Sequence, residues 1–475
     1  MAASIKIEFD DGSKVMQRTL NVHDSTTPAG YVNNIDIDIF KDNNLGIKAN
    51  ASVKVFNWKS DAEFDFYYEN EAVANYIYTN SFQKVGFQLP DYYLVDAPKI
   101  LKHVSAMINA IQQQQNDHQG ITSDLPVFQP LLFILGDTSY GECCVDEVAA
   151  THLGADAVIH YGRSCLQQNS RLPVKYIFGK SKIDVKHFIE QFLNGIDEQK
   201  TYIILHDVEY AHGMNEINTI LNNHKEIKNV YTSITRNNNN NNDIVDNDNA
   251  EGKTFLKIQG QFVEISSTAT QNDIIHDNTI FIYIGTQTPR LIRLIMRYNM
   301  HKFLVYDPHH CSKLNESNTN STLLLQPAMN KVGKLVNKRY FQVQKAKDAS
   351  IFGILVGTLS VARYRDVLVR VKRLLKCMGR KYYTFIVGKI NVAKLANHSE
   401  VDVYVLIACP ENSLLDNKEF YKPIVTPFEL EVALNPKREW DGTYTTDFAD
   451  ILLDQDGNEG NKKPEAVGTA GRTGS

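Results

Sequence analysis

The sequence lacks the features that mark secreted, membrane-spanning and nucleic-acid-binding proteins. Its first residues, MAASIKIEFDDGSK, contain neither a basic segment nor an apolar core, so we expect no signal peptide. No run of about 18 apolar residues occurs, so we expect no membrane-spanning helix. The 50 Lys and Arg residues are outnumbered by 55 Asp and Glu, and a formal net charge of −5 gives no reason to expect direct binding to nucleic acid. These absences predict a cytoplasmic protein.

Cysteine is scarce as well, with six residues among 475. In a reducing compartment, a chain of this length is not expected to use them as a disulfide framework. The paired C-x2-C motifs of structural zinc sites are absent, and so is the G-x-x-x-x-G-K-[ST] loop that binds phosphate. Three of the six nevertheless lie close together in the sequence, at Cys143, Cys144 and Cys165, which favours reactive or metal-bound thiols.

Three segments of the chain repeat one layout of apolar strand, polar turn, helix and second apolar strand. They are residues 131–162, 279–308 and 382–410. A β-rich run followed by an amphipathic helix precedes each copy. The strands are near-continuous apolar runs, which is typical of parallel strands covered by helices on both faces. Strands that alternate with helices predict right-handed βαβ units.

The repeats predict an α/β fold of three homologous parallel-sheet α/β domains, which arise by internal triplication and lie in a pseudo-threefold arrangement. The predicted organisation is an N-terminal extension, three domains and a largely disordered tail, at residues 1–60, 61–198, 199–345, 346–440 and 441–475. The run NNNNNN and the polar residues after it predict a disordered insertion in the second domain, near 235–253.

Three cysteines are predicted at the carboxyl ends of strands, where open parallel sheets bind their ligands. Cys144 follows the strand LLFIL and its turn, and it opens the predicted helix CVDEVAATHL, whose N-terminal potential favours a thiolate. Cys165 lies just past the strand AVIHYG, and Cys409 ends the corresponding strand of the third copy, VYVLIACP. If the domains surround one axis, these three thiols converge.

The residues alone leave the use of three converging thiols open. A structural zinc site has four ligands, whereas a cubane iron–sulfur cluster held by three cysteines leaves one iron open. Such an open iron can bind a ligand such as S-adenosylmethionine, or the site can pass electrons. A Cys144 nucleophile paired with His160 or His152 would need a third orienting group, which the sequence does not identify.

The remaining cysteines are expected to have lesser roles. Cys143 is predicted to be a packing or redox residue, because adjacent side chains diverge and normally one of them binds a metal. Cys311 occupies the repeat position of Cys165 and is the reserve ligand. Cys377 lies on the apolar helix pattern VLVRVKRLLKC and is expected to be a small buried residue. Thr286, Gln287 and Thr288, which follow Gly285 at a predicted helix start, could face the carboxylate of a ligand, although ordinary N-capping is favoured.

Several longer motifs are similar to those of a known family. They are GDTSYGECCVDEVAATHLGADAVIHYGRSCL (136–166), FQLPD (87–91), GILVGTLSVARY (353–364), GKINVAKLANHSEVDVYVLIACPE (388–411) and PIVTPFELEVAL (423–434). Together they resemble 2-(3-amino-3-carboxypropyl)histidine synthase, an enzyme family of diphthamide synthesis, over roughly residues 60–450. The combination of ILGDTSYGECCVDE with HYGRSC looks most like the second subunit of the eukaryotic heterodimer.

The resemblance implies three homologous α/β domains around one site that uses a [4Fe-4S] cluster and S-adenosylmethionine. Radical chemistry releases a 3-amino-3-carboxypropyl group and adds it to a histidine of elongation factor 2, the first step of diphthamide biosynthesis. The expected partners are a homologous catalytic subunit, elongation factor 2 as the substrate, and a small electron-donor metalloprotein. The second subunit is expected to support reduction of the cluster in the catalytic subunit.

The resemblance also implies which residues hold the metal and where this chain departs from the family. Catalytic members take one cysteine from each domain, but residues 222–278 of this chain, the corresponding part of the middle domain, contain none. The expected ligands are therefore Cys144 and Cys165, spaced as in second-subunit relatives, with Cys409. On this basis the chain is not expected to be catalytic alone. The alternative is a cluster-free structural scaffold subunit of the same complex.

Overall fold

The computed structural model of the chain describes most of the three predicted domains, in segments separated by gaps. The described residues are 58–119, 128–136, 142–167, 171–197, 199–224, 229–235, 254–266, 271–308, 328–388, 390–414, 420–440 and 442–453. Nearly all of the predicted N-terminal extension, the asparagine-rich insertion from residue 236 and the predicted tail from residue 454 lie outside them.

Strands and helices alternate along most of the described chain, as the apolar pattern predicts. The strands are β1 (Lys84–Gln88), β2 (Leu131–Ile134), β3 (Ala157–Tyr161), β4 (Val174–Ile177), β5 (Thr201–His206), β6 (Val230–Ile234), β7 (Thr254–Ile258), β8 (Gln261–Ile265), β9 (Thr279–Ile284), β10 (Lys302–Tyr306), β11 (Ile351–Val356), β12 (Lys381–Ile386), β13 (Val403–Ile407) and β14 (Ile424–Val425). The helices are α1 (Asp61–Tyr68), α2 (Asn70–Thr79), α3 (Ala97–Gln119), α4 (Glu147–His152), α5 (Val185–Asn194), α6 (Met214–Asn223), α7 (Gln271–Ile274), α8 (Pro289–Arg297), α9 (Ala328–Asp348), α10 (Tyr364–Cys377), α11 (Val392–Ala396), α12 (Pro427–Leu434) and α13 (Phe448–Leu453). Within the described part of the chain, no helix is both long enough and apolar enough to cross a membrane.

The strands form three separate sheets, each built from one stretch of the chain. The first sheet has the order β2-β1-β3-β4 and the last has the order β12-β11-β13-β14, and every pairing in both is parallel. The middle sheet has the order β10-β9-β5-β6-β8-β7. Its parallel strands β10, β9, β5 and β6 repeat the order of the other two sheets, read from the opposite edge. The chain is therefore a mixed α/β protein with parallel sheets.

The middle sheet departs from the predicted all-parallel layout at one edge. Strands β7 and β8 form an antiparallel hairpin, and β8 also pairs in antiparallel fashion with β6. The hairpin turns at Gln259 and Gly260, whose φ angles of 47° and 85° suit a two-residue turn between twisted strands. These short strands follow the asparagine-rich insertion, so a search for long apolar runs does not separate them from a loop.

Four strands are completely buried, which explains why their sequences lack an alternating polar pattern. Every residue of β3, β5, β9 and β13 is buried. One apolar cluster joins the second and third sheets and includes Phe281, Leu291 and Ile354. The same cluster contains Cys165, just beyond β3, and Cys409, just beyond β13. The loops that carry the cysteines next to the first sheet therefore pack into the core that the second and third sheets share.

Residues 442–453 form the start of the segment predicted to be a largely disordered tail, and they pack on helices α8, α10 and α12. Tyr444 and Phe448 are buried, and the hydroxyl of Tyr444 donates to Oε1 of Glu429 at 2.9 Å. Asp450 in α13 pairs with Arg297 in α8 at 3.2 Å. These aromatic and charged contacts are distant in sequence, so the local polar composition of the segment does not reveal them.

Candidate metal centre

Four cysteine thiols lie together beyond the carboxyl ends of β3 and β13. The Sγ atoms of Cys143, Cys144, Cys165 and Cys409 all lie within 4.8 Å of one another, and all four residues are buried. The Sγ atoms of Cys143 and Cys409 are 3.3 Å apart. The structure brings together the three cysteines singled out from the sequence. It also adds Cys143. We expected its side chain to point away from that of Cys144, but its Sγ atom lies within the group.

Two of these cysteines lie just after the ends of strands, and hydrogen bonds to their backbone groups hold them in place. Cys409 lies two residues after β13, where Ser413 Oγ and the N–H of Asn412 donate to its carbonyl oxygen at 2.8 and 3.0 Å. Cys165 lies four residues after β3, and its N–H donates to the carbonyl oxygen of Cys143 at 3.3 Å. Placement at the carboxyl edge of parallel sheets is thus what brings thiols from distant parts of the sequence together.

A buried glutamine fixes the turn that carries the two adjacent cysteines. Gln88 is the last residue of β1 and is 2 % exposed. Its Nε2 donates to the carbonyl oxygen of Cys144 at 2.8 Å, and its Oε1 accepts from the N–H of Asp146 at 2.8 Å. In the sequence, Gln88 stands out only as a member of the FQLPD motif. The signal that could have identified it is a polar residue at the carboxyl end of an apolar strand.

The helix after these cysteines begins later than the sequence predicts. Helix α4 starts at Glu147, and its N-cap is Asp146, whose Oδ1 accepts from the N–H of Ala149 at 3.0 Å. Cys144 therefore lies in the turn before the helix and does not open it. The helix begins only after Asp146 because the short side chain of Asp146 caps the first free backbone N–H groups at that point. The helix dipole is thus not the main influence on the Cys144 thiol.

Hydrogen bonds between the thiols set their acidities. Those from Cys143, Cys144 and Cys409 lower the pKa of Cys165 well below its ordinary value. Hydrogen bonds with the neighbouring thiols, and then burial, raise the pKa of Cys143 well above its ordinary value. One thiolate is favoured in the group, while burial and like charge oppose further ones. A bound metal would displace the remaining protons, because cysteine binds metals as the thiolate.

The donor set fits a metal that is held by sulfur. A buried group of sulfur donors selects zinc or an iron–sulfur cluster over cations such as Mg²⁺ and Ca²⁺, which take oxygen ligands. Within the described ranges, no histidine belongs to the group. His160 turns its Nε2 to the carbonyl oxygen of Arg163 at 3.0 Å, and burial lowers its pKa. The arrangement supports metal binding and gives no support to a nucleophile formed by Cys144 and a histidine.

The other residues considered from the sequence lie elsewhere. Cys377 is exposed at the end of α10, so the expectation that it is buried is wrong. Thr288 is the N-cap of α8 and accepts from the N–H of Leu291, as expected. Cys311 lies outside the described residues.

Comparisons with known proteins bear on the family and the fold of this chain. A model of the diphthamide synthesis protein family matches residues 89–445. The chain is 35 % identical over 443 residues to 2-(3-amino-3-carboxypropyl)histidine synthase subunit 2 of Danio rerio, which covers 92 % of this chain and 81 % of that protein. It is 37 % identical over 390 residues to the Gallus gallus protein of the same name, which covers 82 % and 72 %. The crystal structure of Dph2 from Pyrococcus horikoshii with a 4Fe-4S cluster has the same fold, with a TM-score of 0.52 and 18 % identity over 80 % of this chain and 95 % of that one.

Proposed function

Because the chain belongs to the diphthamide synthesis protein family, we propose that it is the iron–sulfur subunit of a heterodimeric transferase. The transferase moves the 3-amino-3-carboxypropyl group of S-adenosylmethionine onto a histidine of elongation factor 2. In this proposal the chain acts in the cytoplasm, is not catalytic alone, and supports reduction of the cluster in its catalytic partner. A small metalloprotein supplies the electrons.

The four-thiol group is the observation that carries the proposal. Cys144, Cys165 and Cys409 are the proposed ligands of a [4Fe-4S] cluster, the group present in the structure of Dph2 from Pyrococcus horikoshii. A cluster bound there would supply one-electron transfer. This chain's own residues hold and shield the site: Gln88 fixes the turn at Cys144, and the burial of the thiols excludes water.

The origin of the thiols supports a role that depends on a partner. Within the described residues, the group draws on segment 142–167 and on Cys409 of the third sheet, with no cysteine from the middle sheet. The family resemblance implies that catalytic subunits take one cysteine from each domain. The different origin of the thiols in this chain therefore favours electron supply over independent catalysis.

The proposal also includes the arrangement of the chain into three homologous domains around one site. The shared strand order of the three sheets supports internal triplication of one α/β unit, with domains at 61–198, 199–345 and 346–440. The meeting of thiols from the first and third of these domains supports a pseudo-threefold arrangement around a central site.

Zinc is a second candidate for this site because the thiols lie so close together. Tetrahedral zinc, with Zn–S bonds of about 2.3 Å, holds its sulfur ligands ~3.8 Å apart. The four Sγ atoms lie within 4.8 Å of one another, which is compatible with that spacing. A zinc-bound chain would be a structural subunit of the same complex, without an electron-transfer role.

The test is anaerobic reconstitution of the transferase from this chain, its catalytic partner, elongation factor 2 and S-adenosylmethionine, with the electron-donor protein as the reductant. The wild-type chain should increase the yield of modified elongation factor 2. A variant with Cys144, Cys165 and Cys409 all changed to Ser should still bind the partner but give no increase. Equal stimulation by the wild-type and variant chains would rule out electron supply and support a structural scaffold role. Zinc bound to this chain in the active complex would support the zinc-bound structural subunit.

A further inference from the structure

Helix α8 carries two arginines into the interior without carboxylate partners. Arg290 is 1 % exposed and Arg293 is 4 % exposed. Nη2 of Arg290 donates to the carbonyl oxygen of Gln259 at 3.1 Å, but among the described residues its Nε and Nη1 have no hydrogen-bond partner. The same part of the chain offers no partner to Nε and Nη2 of Arg293. Within the part of the chain that the structure describes, neither guanidinium forms an ion pair with a carboxylate.

Two other buried arginines of this protein each form an ion pair with a buried glutamate. Nε of Arg339 donates to Glu429 at 2.6 Å, and Nε of Arg370 donates to Glu431 at 2.6 Å. A buried charge is expensive unless an opposite charge offsets it. Arg290 and Arg293 lack such a direct carboxylate contact within the described residues, so a negative charge placed close to them would be stabilised.

The thiol centre is the neighbouring place where such a charge would form. Gln259, which accepts from Arg290, precedes Gly260 in the hairpin turn. Gly260 packs so closely on Leu166 that a Cβ atom added to it would lie 2.5 Å from the Cβ of Leu166. Leu166 directly follows Cys165. The hairpin turn that Arg290 contacts therefore packs against the segment that carries Cys165.

The positions of the other two arginines are also close to the thiol group. Arg293 lies three residues after Arg290 in α8, so both lie on one face of that helix. Apolar residues of α8 belong to the same buried cluster as the four cysteines. Arg163 lies two residues before Cys165, and its side chain is 45 % exposed and lies 3.7 Å from Asp207.

Two buried hydroxyls at the edge of the third sheet also lack partners. The N–H of Gly357 donates to the carbonyl oxygen of Ile407 at 2.8 Å, so the parallel register continues past β11 and places Thr358 beside the residues that lead into Cys409. The hydroxyls of Thr358 and Ser360 are buried and have no hydrogen-bond partner in the described ranges. Thr358 is therefore a buried hydroxyl beside the segment that carries Cys409, where a bound acceptor would satisfy it.

We propose that Arg163, Arg290 and Arg293 are positioning residues that offset the negative charge of the thiolate-held group and raise its reduction potential. This inference rests on the proposed iron–sulfur function. One-electron reduction adds one negative charge at the centre, and the electron comes from the small donor metalloprotein. Fixed positive charge in a medium of low polarity stabilises the more negative, reduced state. The arginines therefore make this subunit easier to reduce and able to hold an electron for its partner.

The experiment is a redox titration of the anaerobically purified protein, followed by electron paramagnetic resonance. Arg293→Gln and Arg290→Gln should each lower the midpoint potential by at least a tenfold change in the reduction equilibrium, about 59 mV for one electron. Arg293→Lys keeps the charge and should retain most of the wild-type potential. Because Arg163 is half exposed, Arg163→Gln should fold even if the buried variants do not, and it should lower the potential in the same direction.

The outcomes separate this inference from the function on which it rests. Potentials equal to wild type in the folded Gln variants, at equal iron content, would overturn the role of the arginines and leave the iron–sulfur function intact. A potential that falls equally in the Lys and Gln variants of Arg293 would also overturn it, because packing and not charge would then be responsible. A wild-type protein without iron would overturn both.

Discussion

Replacing Gln88 by Leu should destabilise the protein and loosen the metal centre. The change removes two buried hydrogen bonds of 2.8 Å and leaves the carbonyl oxygen of Cys144 and the N–H of Asp146 without partners. An unsatisfied buried backbone group costs about 1–3 kcal/mol, and the apolar Leu recovers part of the loss, so we expect a net cost of about 2–4 kcal/mol. The turn that holds Cys143 and Cys144 should also become mobile, which should weaken metal retention.

The assay pairs urea unfolding of the metal-free protein with the rate at which the loaded protein loses metal to a chelator. Gln115→Leu is the matched control, because Gln115 accepts only an exposed hydrogen bond from Tyr78, and its removal should cost less than about 0.5 kcal/mol. We expect Gln88→Leu to lower the unfolding free energy and to accelerate metal loss several-fold. An unfolding curve and a metal-loss rate that match those of Gln115→Leu would refute the positioning role of Gln88.

Three further predictions concern the thiols, a buried histidine and a buried ion pair. Cys409→Ser should lower the metal content of the folded protein, whereas Cys377→Ser should not, since Cys377 is exposed; equal metal content in both would contradict the ligand assignment. Burial lowers the pKa of His206 to about 3, so the folded state keeps it neutral while the unfolded state takes up a proton below about pH 6.5. Stability should therefore fall as pH drops from 6.5 towards 3, and His206→Gln should reduce that slope between about pH 7 and 5 in urea unfolding. Glu429→Gln leaves the charge of Arg339 buried and unpaired and should cost about 3–5 kcal/mol in the same assay, so a loss below about 1 kcal/mol would contradict the importance of this pair.

The strands and their relation to the thiols could be predicted because both follow from local pattern. Fully buried strands such as β3 and β13 leave continuous apolar runs in the sequence, and these runs mark the sheets. Residues just after such strands collect at the carboxyl edge, which is how Cys165 and Cys409 were identified. The prediction required no knowledge of how the three sheets pack.

Features that depend on contacts between distant segments could not be predicted. Whether Cys143 points into the group depends on the turn that Gln88 holds, and Gln88 lies in another strand, more than 50 residues away in the sequence. The arginines of α8 look like the polar face of an ordinary helix until the structure shows them buried at 1 % and 4 % exposure. The β7–β8 hairpin is visible only as the pair Gln259 and Gly260, a weak signal beside a long polar insertion.

The most direct measurement is the iron, acid-labile sulfide and zinc content of the chain purified without oxygen, alone and together with its catalytic partner subunit. We expect about four irons and four sulfides per chain and a broad visible absorption that bleaches on reduction with dithionite. A folded protein that carries zinc, or no metal, in both preparations would contradict the iron–sulfur role and leave this chain as a structural subunit.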